Sequence, residues 1–111
     1  MYALFEYHNI ISIFASNNYN MDIGKALKYI RKERYLKAKE VSQITGMNPN
    51  TISMMETNKT VPSKSTLATI ADLYKTDIAR IYLMAIEPED IPEKNRHLWD
   101  DFDKLRTLMF S

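Results

Sequence analysis

At 111 residues the chain has room for one compact domain and little for a second. Hydrophobic residues are 45% and charged residues 26% of it, which excludes a disordered or fibrous protein. Cysteine is absent, excluding disulfides and thiolate metal sites and fitting a reducing cytoplasm; two glycines and four prolines leave long runs of helix formers, so the chain reads as all-α.

The net charge of +1 hides an uneven distribution. Residues 22–59 hold eight Lys and Arg against four Asp and Glu, a balance of +4, while residues 85–111 hold four against seven, a balance of −3. The first stretch suits a phosphate-facing surface or an ordinary solvated helix face; the second does not suit phosphate.

Residues 1–20 form an N-terminal extension. The apolar run from Ile10 to Ala15 is short, no Lys or Arg precedes it, and Glu6 and His8 interrupt what comes before, so neither a signal peptide nor a membrane span is expected. Tyr2, Leu4 and nearby aromatics suit a short strand or an extra helix packed on the body or on a second subunit. Alternatively, translation begins at Met21 and these residues carry no function. Ser16, Asn17, Asn18 and Asn20 read as a loop.

A regular domain is expected over residues 21–84. Ile23, Leu27 and Ile30 recur at helical spacing in a first amphipathic helix ending near Arg34. A second helix should run from Ala38 to Thr45, burying Val41 and Ile44, and stop at Gly46, which takes a left-handed turn without steric cost. Asn48 is an N-cap and Pro49 a first helical residue for a third helix, about residues 49–57, with Ile52, Met55 and Glu56 on one side. Ser63 should cap a fourth helix with Leu67, Ile70, Ala71 and Leu73 inward, and Asp77 a fifth carrying Ile78, Ile81 and Tyr82.

An acidic linker and a C-terminal helix are expected over residues 85–111. Asp90, Pro92 and Glu93 look like a helix start, after which Leu98, Phe102, Leu105 and Met109 fall on one stripe with Trp99 and Leu108 beside it. Such a stripe is buried either on its own body or on a second copy.

Five short helices with a tight turn between the second and third resemble the Cro/CI (Xre-type) helix-turn-helix family over roughly Ile23 to Leu83. The resemblance rests on Ile23-Gly24, Leu36, Val41, Gly46, Thr51-Ile52-Ser53, Glu56, Lys59, Pro62, Leu67, Ile70 and Ala71, and on Ser42, Gly46, Ile52 and Met55 standing at offsets of 4, 6 and 3. It implies a five-helix lambda-repressor-like DNA-binding domain, here with an added C-terminal amphipathic helix and the N-terminal extension. The implied protein is a small bacterial transcriptional regulator, repressor-like, cytoplasmic and nucleoid-associated, bound to double-stranded DNA as a homodimer.

In that family the third helix enters the major groove N-terminus first. Asn50 is the leading base reader, because an amide donates and accepts together and matches adenine N6 and N7. Thr51, Ser53, Met54 and Pro49 are further base-edge candidates; Lys37, Lys39, Asn48, Asn58, Lys59 and Thr60 are phosphate candidates, with Asn48 equally suited to capping alone. Glu56 would repel DNA and is expected to bond within the fold. Ala38 stands where the family commonly has a phosphate-binding glutamine, Pro49 and Met54 where it has polar residues, and Asn58 where it has glycine, which places readout on few contacts. Leu98, Trp99, Phe102, Leu105 and Met109 are the dimer candidates.

No enzyme is expected. His8 and His97 lie in separate segments, there is no thiol and no phosphate-cradling glycine loop, and Asp100 and Asp101 point to different helix faces, so no catalytic set, cofactor or metal is indicated. The competing reading is a protein-interaction module such as an antitoxin or antirepressor, with a protein partner on an apolar surface; Met54, Met55 and the C-terminal aromatics would serve it.

Overall fold

The computed structural model describes residues 21–109, so the expectations for residues 1–20 lie outside the described residues. Six α-helices follow in order: α1 Ile23–Glu33, α2 Ala38–Thr45, α3 Pro49–Glu56, α4 Lys64–Leu73, α5 Ile78–Ala85 and α6 Trp99–Met109, with 3-10 segments Pro88–Asp90 and Glu93–Leu98 before the last. The fold among the described residues is all-helical, as expected.

Helix starts follow side-chain chemistry. Asp22, Asn48, Ser63 and Asp77 each accept from a backbone N–H of the first turn of α1, α3, α4 and α5, satisfying donors that the helix itself leaves unpaired. Helix ends follow backbone geometry. Tyr35, Asn58 and Lys75 stand in the left-handed region after α1, α3 and α4, at φ 56°, 60° and 53°. After each, the paired N–H bonds of a Schellman closure form, for example Tyr35 N–H to Lys32 O at 3.0 Å and Leu36 N–H to Arg31 O at 3.2 Å. Gly46, at φ 77°, ends α2.

The main core gathers Leu27 and Ile30 from α1, Val41 from α2, Ile52 and Met55 from α3, Leu67, Ile70 and Ala71 from α4, Tyr74, and Ile81 from α5. Gly24 is buried where α1 crosses the end of α3. A Cβ there would stand 2.6 Å from the carbonyl oxygens of Met55 and Glu56, so glycine sets how closely the two helices approach. Ile44 departs from expectation: it is 61% exposed, because α2 is short and buries only Val41.

The C-terminal segment also departs from its expected form. Asp90 turns its carboxylate back to accept from Glu87 N–H at 2.8 Å, closing the turn before it rather than capping a helix after it. Asn95 N–H reaches Pro92 O in the 3-10 manner, and regular α-helix begins only at Trp99. The stripe that faces the body is half-buried and rotated from the expected one. Trp99 and Phe102, with Ile91, Met21 and Tyr82, pack against Ala79, Leu83 and Ile86 in a second cluster. Arg106 completes that face: its guanidinium lies 4.9 Å from the Trp99 ring centroid and 5.5 Å from that of Phe102, while Nη1 donates to Leu83 O and Ile86 O at 2.8 and 3.0 Å. Trp99 and Phe102, two of the dimer candidates, are therefore packed within the chain. Leu98, Leu105 and Met109 remain exposed, as does Leu108.

Candidate nucleic-acid interface

The turn between α2 and α3 is held by short-range bonds. Gly46 N–H donates to Ser42 O at 2.9 Å, the Ser42 hydroxyl donates to Met47 O at 2.5 Å, and Thr45 Oγ1 accepts from Met47 N–H at 3.2 Å. Asn48 Oδ1 then accepts from Asn50 N–H at 2.8 Å. The small residue at position 42 and the glycine at 46 are thus needed for distinct reasons: one carries the hydroxyl that clamps the turn, the other takes its left-handed backbone.

Burial of Ile52 and Met55 fixes the rotation of α3 against the core and turns Pro49, Asn50, Thr51 and Ser53 outward to solvent, with Met54 half-buried beside them. Asn50 Nδ2 donates to Met54 Sδ at 3.7 Å, one helical turn apart. Lys37 and Lys39, at and after the start of α2, are exposed; Lys37 N–H donates to Glu40 Oε1 at 3.1 Å, leaving its ammonium on the surface. Lys59 and Thr60 follow α3 with exposed side chains, while their N–H groups close the helix on Met54 O at 2.9 and 3.2 Å.

Two phosphate candidates have work inside the fold. Asn48 carries the α3 cap. Asn58 accepts from Gly24 N–H through Oδ1 at 2.9 Å and donates to Asp22 Oδ1 through Nδ2 at 2.7 Å, tying the end of α3 to the start of α1. Two arginines counted with the basic surface are structural as well. Arg31 pairs with Glu56 through Nε and Nη2 at 2.7 and 3.0 Å, confirming a role for Glu56 within the fold, and Arg34 Nε donates to Tyr74 O at 2.7 Å. The Glu56 hydrogen bonds hold Arg31 above its ordinary pKa range, outweighing the opposing effect of burial. Positive charge available to a ligand near the turn is accordingly concentrated on lysines rather than arginines.

Residues 27–81 match the family model described as Helix-turn-helix. The chain belongs to the Cro/CI-type helix-turn-helix family. No curated protein and no solved structure matches it. The family is one of DNA-binding regulators rather than of enzymes, and its span here takes in α2, the turn and α3 but stops short of α6. Where this helix-turn-helix departs from the family pattern, the structure shows what replaces the usual residues. Asn58, in place of glycine, adopts the same left-handed backbone and adds its two side-chain bonds. Ala38, in place of glutamine, packs against the core. Among the described residues no cluster of three His, Asp or Glu side chains could hold a metal ion, and no helix is long and apolar enough to cross a membrane.

Proposed function

We propose that this protein binds double-stranded DNA sequence-specifically as a small, repressor-like transcriptional regulator of a bacterial cytoplasm, acting on the nucleoid with α3 in the major groove. The observation that carries the reading is the division of α3: Ile52 and Met55 lock it to the core while Asn50, Thr51 and Ser53 face outward from its first turns. A helix entering the groove N-terminus first presents those first turns to base edges. Lys37, Lys39 and Lys59 supply exposed charge on either side of the motif for phosphates, which positions the protein without reading sequence.

Two copies act together in this reading. Leu105, Leu108 and Met109 on α6, with Leu98 just before it, are exposed apolar side chains, and a dimer would place two recognition helices on half-sites roughly 34 Å apart. The same side chains favour the second reading, a module that binds another protein. Retention of the full chain on random duplex fragments across a salt series separates them. DNA binding shows a steep fall in affinity with salt, a flattened sequence preference in Asn50→Ala and uniformly weaker binding in Lys37→Ala. If no duplex is retained at low salt, the DNA reading is lost and these side chains become the leading site.

A further inference from the structure

Resting on the DNA reading above, we infer that Asn50 and Met54 form one joint reader selective for A·T base pairs, with Asn50 on adenine and Met54 on a thymine methyl. α3 reads PNTISMME and holds neither Arg nor Lys, so the bidentate contact to guanine O6 and N7 that those side chains make is missing from this helix. Its one amide side chain, Asn50, offers the acceptor-and-donor pair that fits adenine N6 and N7. Thr51 and Ser53 carry hydroxyls, which bond to either kind of pair.

The contact between Asn50 and Met54 makes the two a unit. A primary amide has two N–H groups and one oxygen. The adenine pair uses the oxygen and the N–H beside it; the other N–H is the one available to Met54 Sδ, so the 3.7 Å contact fixes which way the amide faces without consuming the reading edge. Met54 stands one turn along the same face and is half-buried, which holds its thioether and terminal methyl beside Asn50 as apolar surface. Thymine alone among the bases presents a methyl group in the major groove. An amide aimed at adenine and an apolar end aimed at that methyl both select A·T.

The test uses the full chain and a randomised duplex library, followed by base analogues in the selected site. The positions read by α3 are those whose discrimination Asn50→Ala removes. They should be A·T pairs, and 7-deazaadenine there, which lacks N7 and so loses one of the two hydrogen bonds, should weaken binding by about two- to tenfold. Uracil in place of thymine should weaken wild-type binding but not that of Met54→Ala. Met54→Leu, which keeps apolar bulk and loses the sulfur acceptor, should retain the uracil effect while reducing the 7-deazaadenine effect. G·C pairs at those positions, or binding indifferent to both analogues, would overturn the joint reader and leave DNA binding standing. Retention without sequence preference would do the same. No retention of any duplex removes the DNA reading and this inference together. The effects of the two analogues on wild-type binding alter only DNA, so those arms do not depend on whether a variant folds.

Discussion

Arg31 and Glu56 form a two-pronged ion pair across the interior of the domain, joining α1 to the last residue of α3, and Arg31 Nη1 adds a bond to Leu36 O at 2.7 Å. Arg31 is only 8% exposed, so removing either partner strands a charge in a poorly solvated place. Arg31→Ala or Glu56→Ala should each cost about 3–5 kcal/mol in denaturant unfolding. The double variant Arg31→Ala, Glu56→Ala should cost clearly less than the sum, since no unpaired charge remains. Additive losses in that cycle would show that the pair is not coupled.

Tyr74 gives the domain an alkaline limit. Burial pushes its phenol up to about 12, with the Glu56 carboxylate adding to the effect and the Arg31 guanidinium opposing it. Below about pH 10 the phenol is protonated both folded and unfolded and contributes no pH dependence. Above that the unfolded chain loses the proton first, so stability falls as pH rises from about 10 towards 12, by up to about 2–3 kcal/mol. Other groups titrate in that window, so the measurement is the difference between wild type and Tyr74→Phe at pH 8 and at pH 11. A difference that does not change with pH would refute the assignment.

The left-handed helix ends predict opposite outcomes from the same kind of substitution. Tyr35, at 93% exposure, and Lys75 hold a backbone conformation that costs L-residues with a Cβ roughly 1–2 kcal/mol. Tyr35→Gly or Lys75→Gly relieves that cost against a smaller loss through the unfolded state, and each should raise stability by about 0.5–1 kcal/mol. Asn58→Gly should give no gain or a net loss, because it deletes the bonds to Gly24 and Asp22. Thermal midpoints of the three variants decide it; a gain at position 58 equal to the others would mean the Asn58 bonds contribute nothing.

What the sequence disclosed was local, and what it concealed was mostly long-range. Asn48, Ser63 and Asp77 were legible as caps because a cap needs one side-chain oxygen two or three residues from its donor. Gly46 was legible because glycine announces a left-handed turn, whereas Tyr35 and Lys75 take the same backbone with nothing in their residue type to announce it. Glu56 reads as a fold-internal carboxylate, but its partner lies 25 residues earlier and in sequence is one more charge of the basic stretch; Arg34, bonded across 40 residues to Tyr74 O, is hidden in the same way. Ile44 fits the helical period of Val41, yet period alone does not say whether a neighbouring element covers that position. The outward set on α3 was legible because Ile52 and Met55 fix the rotation of a short helix. The link from Asn50 to Met54 was not, since a sulfur acceptor leaves no pattern in sequence.

Arg106 explains why the C-terminal stripe was misplaced, and it governs whether α6 stays docked. Sequence pattern treats an arginine as a solvent residue, but here its plane lies beside Trp99 and Phe102 while its donors take Leu83 O, Ile86 O and Asp103 Oδ1, the last at 2.9 Å. The carbonyls of Leu83 and Ile86 are the outlets of α5, so one side chain satisfies the end of one helix and anchors another. Arg106→Ala removes charged hydrogen bonds worth about 1.5–3 kcal/mol and uncovers both rings. Trp99 is the only tryptophan in the chain, so its emission reports this contact alone. The emission should shift to the red in Arg106→Ala, and amide exchange across α6 should quicken by about tenfold or more, while the amides of Ile30, Ile52 and Ile70 in the main core keep their protection. Arg106→Lys retains charge without the planar fork and should fall between the two. Unchanged Trp99 emission and unchanged α6 exchange in Arg106→Ala would show that Trp99 and Phe102 hold the helix without it.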